Sequence, residues 1–189
     1  MILLIAGCAL FLGVHTLTTM RETRAALIGR IGEGPYKGLY SLASAAGLVL
    51  IVWGFSRYRA SGYIPVWEPP ASLYHLTLLL MWFSFVALVA ANAPAGKIKG
   101  VLRHPMLVGV KAWALAHLLV NGDLGSLILF GSFLAWAVYD RVAVKRRGDP
   151  GAPRSSVTSG DAVALGAGSL AFVAMFWLHP WLIGVPIVR

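Results

Sequence analysis

Residues 73–91 read LYHLTLLLMWFSFVALVAA. No charged residue interrupts this stretch, which lies in a longer uncharged run from Pro69 to Gly96. A helix needs about 20 apolar residues to cross the hydrocarbon core of a bilayer. The stretch therefore reads as a membrane span, and the chain on either side repeats the pattern. Met1–Met20 is uncharged, and so is Gly38–Ser56 between Lys37 and Arg57. Leu102–Val120 is apolar apart from Arg103, His104, Lys111 and His117. Leu124–Tyr139 is short but uncharged, and Ala162–Val188 is uncharged again. The expected fold is all-α: a polytopic helical membrane bundle of about six spans, forming one domain over residues 1–189. The tight turn Asn121-Gly122-Asp123 joins the fourth and fifth spans as a helical hairpin.

Composition agrees. Of 189 residues, 58% are hydrophobic and 12% charged, with a mean hydropathy of +0.76. A soluble domain carries about 25% charged residues. Too few are present here to cover a water-facing surface. That argues against a soluble enzyme, a disordered chain, a nucleic-acid-binding domain and a disulfide scaffold. Cys8 is the single cysteine and has no intrachain partner. The net charge of +9 sits between apolar runs, so it reads as topology rather than as a polyanion site.

Basic residues set the expected orientation. The first loop carries Arg21, Arg24, Arg30 and Lys37, the third Lys97, Lys99 and Arg103, the fifth Arg141, Lys145, Arg146, Arg147 and Arg154. The opposite side has Arg57, Arg59 and Arg189. Odd loops are then cytoplasmic and both termini lie outside, in the periplasm for a bacterial inner membrane. Met1–Met20 lacks a basic n-region and an A-x-A-like cleavage site, so a retained helix is expected. Residues 147–161, RGDPGAPRSSVTSGD, read as a flexible cytoplasmic loop.

Ionisable groups inside a span are costly, and each is a functional hypothesis. His15, His104, Lys111 and His117 qualify; His75 and His179 lie near span ends, where water can solvate them. Phe11 precedes His15 by four residues and shares its face. Neutral imidazole in an apolar bundle is a usual haem ligand. Pro105 suits a first helical turn, which puts Arg103 and His104 at the cytoplasmic mouth. His104 and Lys111 share a face, whereas His117 shares one with Val110, Trp113 and Ala114. Gly109, Ala112, Ala114 and Ala116 leave room beside this helix, for close packing or for a flat macrocycle. Lys111 and Arg103 offer a counter-charge for an anion.

These residues carry a resemblance. His15 with Arg21, Leu27-Ile28-Gly29 to Tyr40-Ser41-Leu42, Gly96-Lys97-Ile98-Lys99, Leu102-Arg103-His104-Pro105-Met106, Trp113-Ala114-Leu115-Ala116-His117, Asn121-Gly122-Asp123 and Asp140-Arg141 together resemble the NnrU family of bacterial membrane proteins. That family's name implies an association with denitrification and nitric oxide. The family is similar to plant zeta-carotene isomerase, a membrane b-type haem protein. The resemblance implies haem b on His15 and His117; Arg103 and Lys111 are then the candidates to face a propionate or another anion. The isomerase's cysteine, its proposed alternative ligand, matches Ala114, which speaks against carotene isomerisation here. A more distant similarity, through Arg103-His104-Pro105 and Gly109, is to isoprenylcysteine and phospholipid methyltransferases. Their paired glutamates are missing from DRVAVKRRGDPGAPRSS.

One conflict stays open at this stage. His15 lies in the cytoplasmic half of its span and His117 near the outer end of its own, so by depth His104 rivals His117 as partner to His15. Three roles remain: a haem protein that meets a diatomic gas, passes electrons or isomerises a lipid-like substrate; a lipid or isoprenoid enzyme at the cytoplasmic mouth using Arg103 and His104; and an assembly factor for a respiratory complex.

Overall fold

The computed structural model describes residues 1–185 and Ile187. Among these, eight helices form: α1 (Ile2–Thr19), α2 (Arg21–Ile31), α3 (Glu33–Ala60), α4 (Leu73–Asn92), α5 (Lys97–Leu102), α6 (Pro105–Val120), α7 (Leu124–Arg146) and α8 (Ser159–Ile183). Five of them (α1, α3, α4, α7 and α8) are long and apolar enough to cross a membrane. α6 has 16 residues, about 24 Å of helix, and packs in the same bundle. The helical membrane architecture read from the sequence is present.

Several boundaries move. The first loop contains α2, whose residues are all at least partly exposed. The fourth span does not start at Leu102. The chain breaks there, because Arg103 takes φ 62°, the one positive φ at a non-glycine residue among those described. Such a conformation is uncommon and costly, and it separates α5 from α6. The fifth span continues past Tyr139 to Arg146, so Asp140, Arg141, Lys145 and Arg146 ride on α7. Residue 188, expected to end the last span, and Arg189, counted among the outer charges, lie outside the described residues.

Side by side, the spans run α3–α1–α7–α6–α4–α8. α7 sits between α1 and α6, whose backbones do not approach each other. Small residues set the tight pairs, as expected in lipid, where packing must replace the hydrophobic effect. A Cβ on Gly7 would lie 2.6 Å from the Ile51 amide nitrogen, and one on Gly47 would lie 2.8 Å from that of Phe11. A Cβ on Gly54 would strike the Leu4 backbone. On the other side of the bundle, Ser84 donates to the Gly109 carbonyl at 2.8 Å and Thr77 to that of Ala116 at 3.3 Å, joining α4 to α6. Leu4, Cys8, Ile51, Ala114, Leu129 and Phe130 form the central core.

The two ends are closed differently. At the end away from the basic loops, residues 61–72 fold over the Asn121–Asp123 turn: Val66 and Trp67 amides donate to the Gly122 carbonyl at 2.8 and 3.0 Å. Asp123 caps α7 by accepting from the Ser126 amide and hydroxyl. The turn reading of Asn121-Gly122-Asp123 therefore has a concrete structural role. At the basic end, buried Asp161 accepts from the amides of Lys97, Ile98 and Thr158 at 3.0, 2.7 and 2.8 Å. One carboxylate thus satisfies the N-termini of both α5 and α8.

Gly54→Leu is expected to force α1 from α3 and cost about 1–3 kcal/mol. Gly13→Leu on the same α1 meets open space and should leave stability unchanged. Thermal melts of both variants in detergent check this; equal melting temperatures would contradict the packing.

Candidate functional site

His15 and His117 sit at the two ends of a continuous run of aromatic rings. His15 stacks on Phe11 with centroids 4.1 Å apart; Phe11 meets Phe133 at 5.5 Å, Phe133 meets Trp113 at 5.4 Å, and Trp113 meets His117 at 5.2 Å. Phe130 stacks on His117 at 4.4 Å, and Trp136 meets His15 edge-on at 5.9 Å. All of these rings lie inside the apolar bundle, partly or fully buried.

Both imidazoles are held in the same way. His15 Nδ1 donates to the Phe11 carbonyl at 2.6 Å, and His117 Nδ1 to the Trp113 carbonyl at 2.9 Å. Each acceptor is the carbonyl four residues earlier, and a carbonyl oxygen has two lone pairs, so it can take the imidazole beside its helix bond. Because a carbonyl only accepts, Nδ1 carries the proton and Nε2 keeps its lone pair. Neither Nε2 has a hydrogen-bond partner among the described residues. A ligating histidine needs this same tautomer, fixed by an outer-shell carbonyl.

The depth conflict eases in three dimensions. α7 supplies a ruler: Phe130 marks the level of His117 and Trp136 that of His15. Six residues of helix correspond to about 9 Å. α1 begins at the end where α6 finishes, and side chains lean towards the N-terminus of their own helix. His15 and His117 therefore lean towards each other along the bundle axis, with Phe11, Phe133 and Trp113 between them.

The other sequence-derived residues go elsewhere. Arg103 Nη1 donates to the Pro150 and Ala152 carbonyls, at 3.4 Å each, and its own carbonyl accepts from the Ala152 amide at 2.7 Å. His104 is the N-cap residue of α6, and its ring lies against Gly151. The stretch expected to be flexible is thus strapped across the Arg103–His104 corner. Asp149 anchors the strap. It accepts from the Gly151 amide at 3.0 Å and pairs with Arg21 at 3.3 Å and Arg147 at 4.0 Å. The Gly151 amide bond, helped by His104, Arg147 and Arg21, holds the Asp149 carboxyl below the usual aspartate range. Lys111 is half-buried, makes no hydrogen bond among the described residues, and lies about 120° around α6 from His117. Neither Arg103 nor Lys111 is brought to His117.

Sequence reading missed a pocket at the far end. A cavity of about 100 Å³ between α4, α6 and α8 is lined by Tyr74, Thr77, Met81, His117, Asn121 and His179, among others. His179, expected to be solvated, instead presents Nδ1 to the Val185 carbonyl at 2.7 Å and faces this cavity. Also missed was the hydroxyl series Tyr36, Tyr40 and Ser44 at i, i+4 and i+8 on α3; that spacing was the signal available.

The NnrU family model matches residues 3–187, nearly the whole chain. The chain belongs to the NnrU family. No curated protein and no solved structure matches it. With family and helices together, this NnrU protein is an integral membrane protein.

A depressed aspartate contributes stability above its unfolded pKa of about 3.9, which is lost as pH falls through the lower folded value. The strap is therefore expected to hold at neutral pH and to loosen only in acid. Asp149→Asn should speed tryptic cleavage after Arg147 and Arg154 several-fold at neutral pH. Cleavage at the wild-type rate would show that Asp149 does not anchor the strap.

Proposed function

We propose that this NnrU protein binds one b-type haem inside the membrane, which His15 and His117 would hold. The observation that carries the reading is the matched pair of imidazoles. Each has Nδ1 committed to a carbonyl four residues back and a free Nε2 lone pair in an apolar, aromatic setting. The donor set suits haem iron, and the two rings lean towards one another from opposite ends of the bundle. Phe11, Phe133 and Trp113 would flank the macrocycle and keep water away, which requires them to move from the line they now occupy between the histidines. When bound, haem would supply one-electron chemistry or a site for a diatomic gas. The protein's part is to fix the tautomer, orient both rings and keep the surroundings dry. The role in nitric oxide metabolism, electron transfer or isomerisation implied by the family resemblance would start from this site.

A second reading rests on the far-end cavity. Its lining of Phe, Met, Leu and Val side chains with a few polar groups matches the make-up of a site for an apolar molecule. It favours a lipid-like ligand at this end, and not at the Arg103–His104 corner, which the strap covers.

Purified from a haem-replete host, the protein is expected to show a Soret band and the paired-histidine spectrum of a low-spin b haem. His15→Ala or His117→Ala should each abolish that low-spin spectrum, and the double variant should remove bound haem. A colourless wild type, or a spectrum unchanged in the double variant, would refute the proposal.

A further inference from the structure

Around the far-end cavity most hydrogen-bond donors are already spent. Two imidazoles line it, His117 from α6 and His179 from α8. His117 Nδ1 donates to the Trp113 carbonyl at 2.9 Å and His179 Nδ1 to that of Val185 at 2.7 Å. A neutral imidazole has one N–H, so each ring keeps only an acceptor, its Nε2 lone pair. Among the described residues neither Nε2 has a partner. Thr77, also in the lining, gives its proton to the Ala116 carbonyl at 3.3 Å. The Asn121 amide gives one proton to the His117 carbonyl at 2.8 Å and, like the Tyr74 hydroxyl, can still act either way. Two rings that can only accept, lining one cavity, call for a donor.

The rest of the lining indicates what carries that donor. Leu78, Met81, Phe85, Phe172, Met175 and Phe176 are apolar. A charged donor such as an ammonium is costly among them. A ketone or an ionised carboxylate brings acceptors only. A neutral hydroxyl on an apolar body suits both the rings and the walls. A cavity of about 100 Å³ is of the order of the ~150 Å³ that holds one benzene, so it admits a head of ring size or a short chain end. α6 and α8 both pack on α4, yet their own backbones do not approach each other. The cavity occupies the gap between them, on a flank of the bundle, where the body of an amphiphile can stay in lipid.

We propose that this cavity binds the hydroxyl head of an amphiphile dissolved in the membrane, with His117 and His179 as the hydrogen-bond acceptors. Two sources have this chemistry, a phenol of the hydroquinone type and a long-chain alcohol. The proposal deepens the second reading above, a cavity for an apolar molecule, and does not depend on haem. Iron on His117 would leave His179 as the acceptor.

The test uses the full-length protein in detergent with two matched pairs of probes: para-octylphenol against para-octylanisole, and decanol against decyl methyl ether. The hydroxyl member of at least one pair is expected to bind about tenfold more tightly, the worth of one hydrogen bond to a group otherwise left unpaired. His179→Phe keeps a ring and should remove most of that preference while the ether binds as before. Because this variant also loses the bond to Val185, a second readout uses the unaltered chain. With isotope-labelled histidine, nitrogen NMR should show the His179 Nε2 resonance move on addition of the hydroxyl probe and stay in place with its ether. A preference within the phenol pair alone identifies the aromatic head, and one within the alcohol pair alone the chain alcohol; either supports the site. Equal binding of hydroxyl and ether leaves a plain apolar cavity and overturns the proposal, as does an Nε2 resonance that does not move. If no probe binds, the cavity reading fails with it.

Discussion

Inside hydrocarbon no water completes an unfinished hydrogen bond, so each polar atom must find its partner within the protein. Most of this chain obeys. Ser84 and Thr77 of α4 bond to carbonyls of α6, and Trp82 Nε1 donates to Ser169 Oγ on α8 at 2.9 Å. Trp136 Nε1 reaches from α7 to Thr16 Oγ1 on α1 at 3.2 Å. Against this background the exceptions stand out. Among the described residues, the Nε2 atoms of His15 and His117 and the buried Tyr36 hydroxyl are without a hydrogen-bond partner.

The packing explains why those groups can be held open. Glycines at 7, 47 and 54 bring α1 and α3 into backbone contact, which rigidifies the pair that carries His15 and the hydroxyl row. α7 then acts as a spacer. Its Phe130, Phe133 and Trp136 meet rings from both α6 and α1, so the two histidines are positioned through one shared helix although the backbones of their own helices do not approach each other. Carbonyl bonds at Nδ1 fix each ring's tautomer and lean. The tautomer and lean of each imidazole are therefore set, while Phe11, Phe133 and Trp113 fill the space between the two rings.

Both ends of the bundle are tied by carboxylates acting on backbone amides. Asp161 serves two helix N-termini and Asp123 one, while Asp149 shapes the strap. Acidic residues are scarce here, seven in 189, and three of them do this work. The strap closes over Arg103 and His104, so the basic mouth that looked open in the sequence is roofed.

Composition and uninterrupted apolar runs were enough to establish a helical membrane bundle, because the cost of burying charge in oil leaves few other readings. The same rule singled out His15 and His117, and the aromatic residue four positions before each was visible as well. What the sequence could not give was direction. That Arg103 turns to the loop, that Lys111 points away from His117, that His179 faces a cavity and that the Tyr36 hydroxyl lacks a partner all depend on how helices rotate and which neighbour each one meets. Those are matters of tertiary packing: a residue's face follows from helical periodicity, but the occupant of the space opposite comes from another part of the chain.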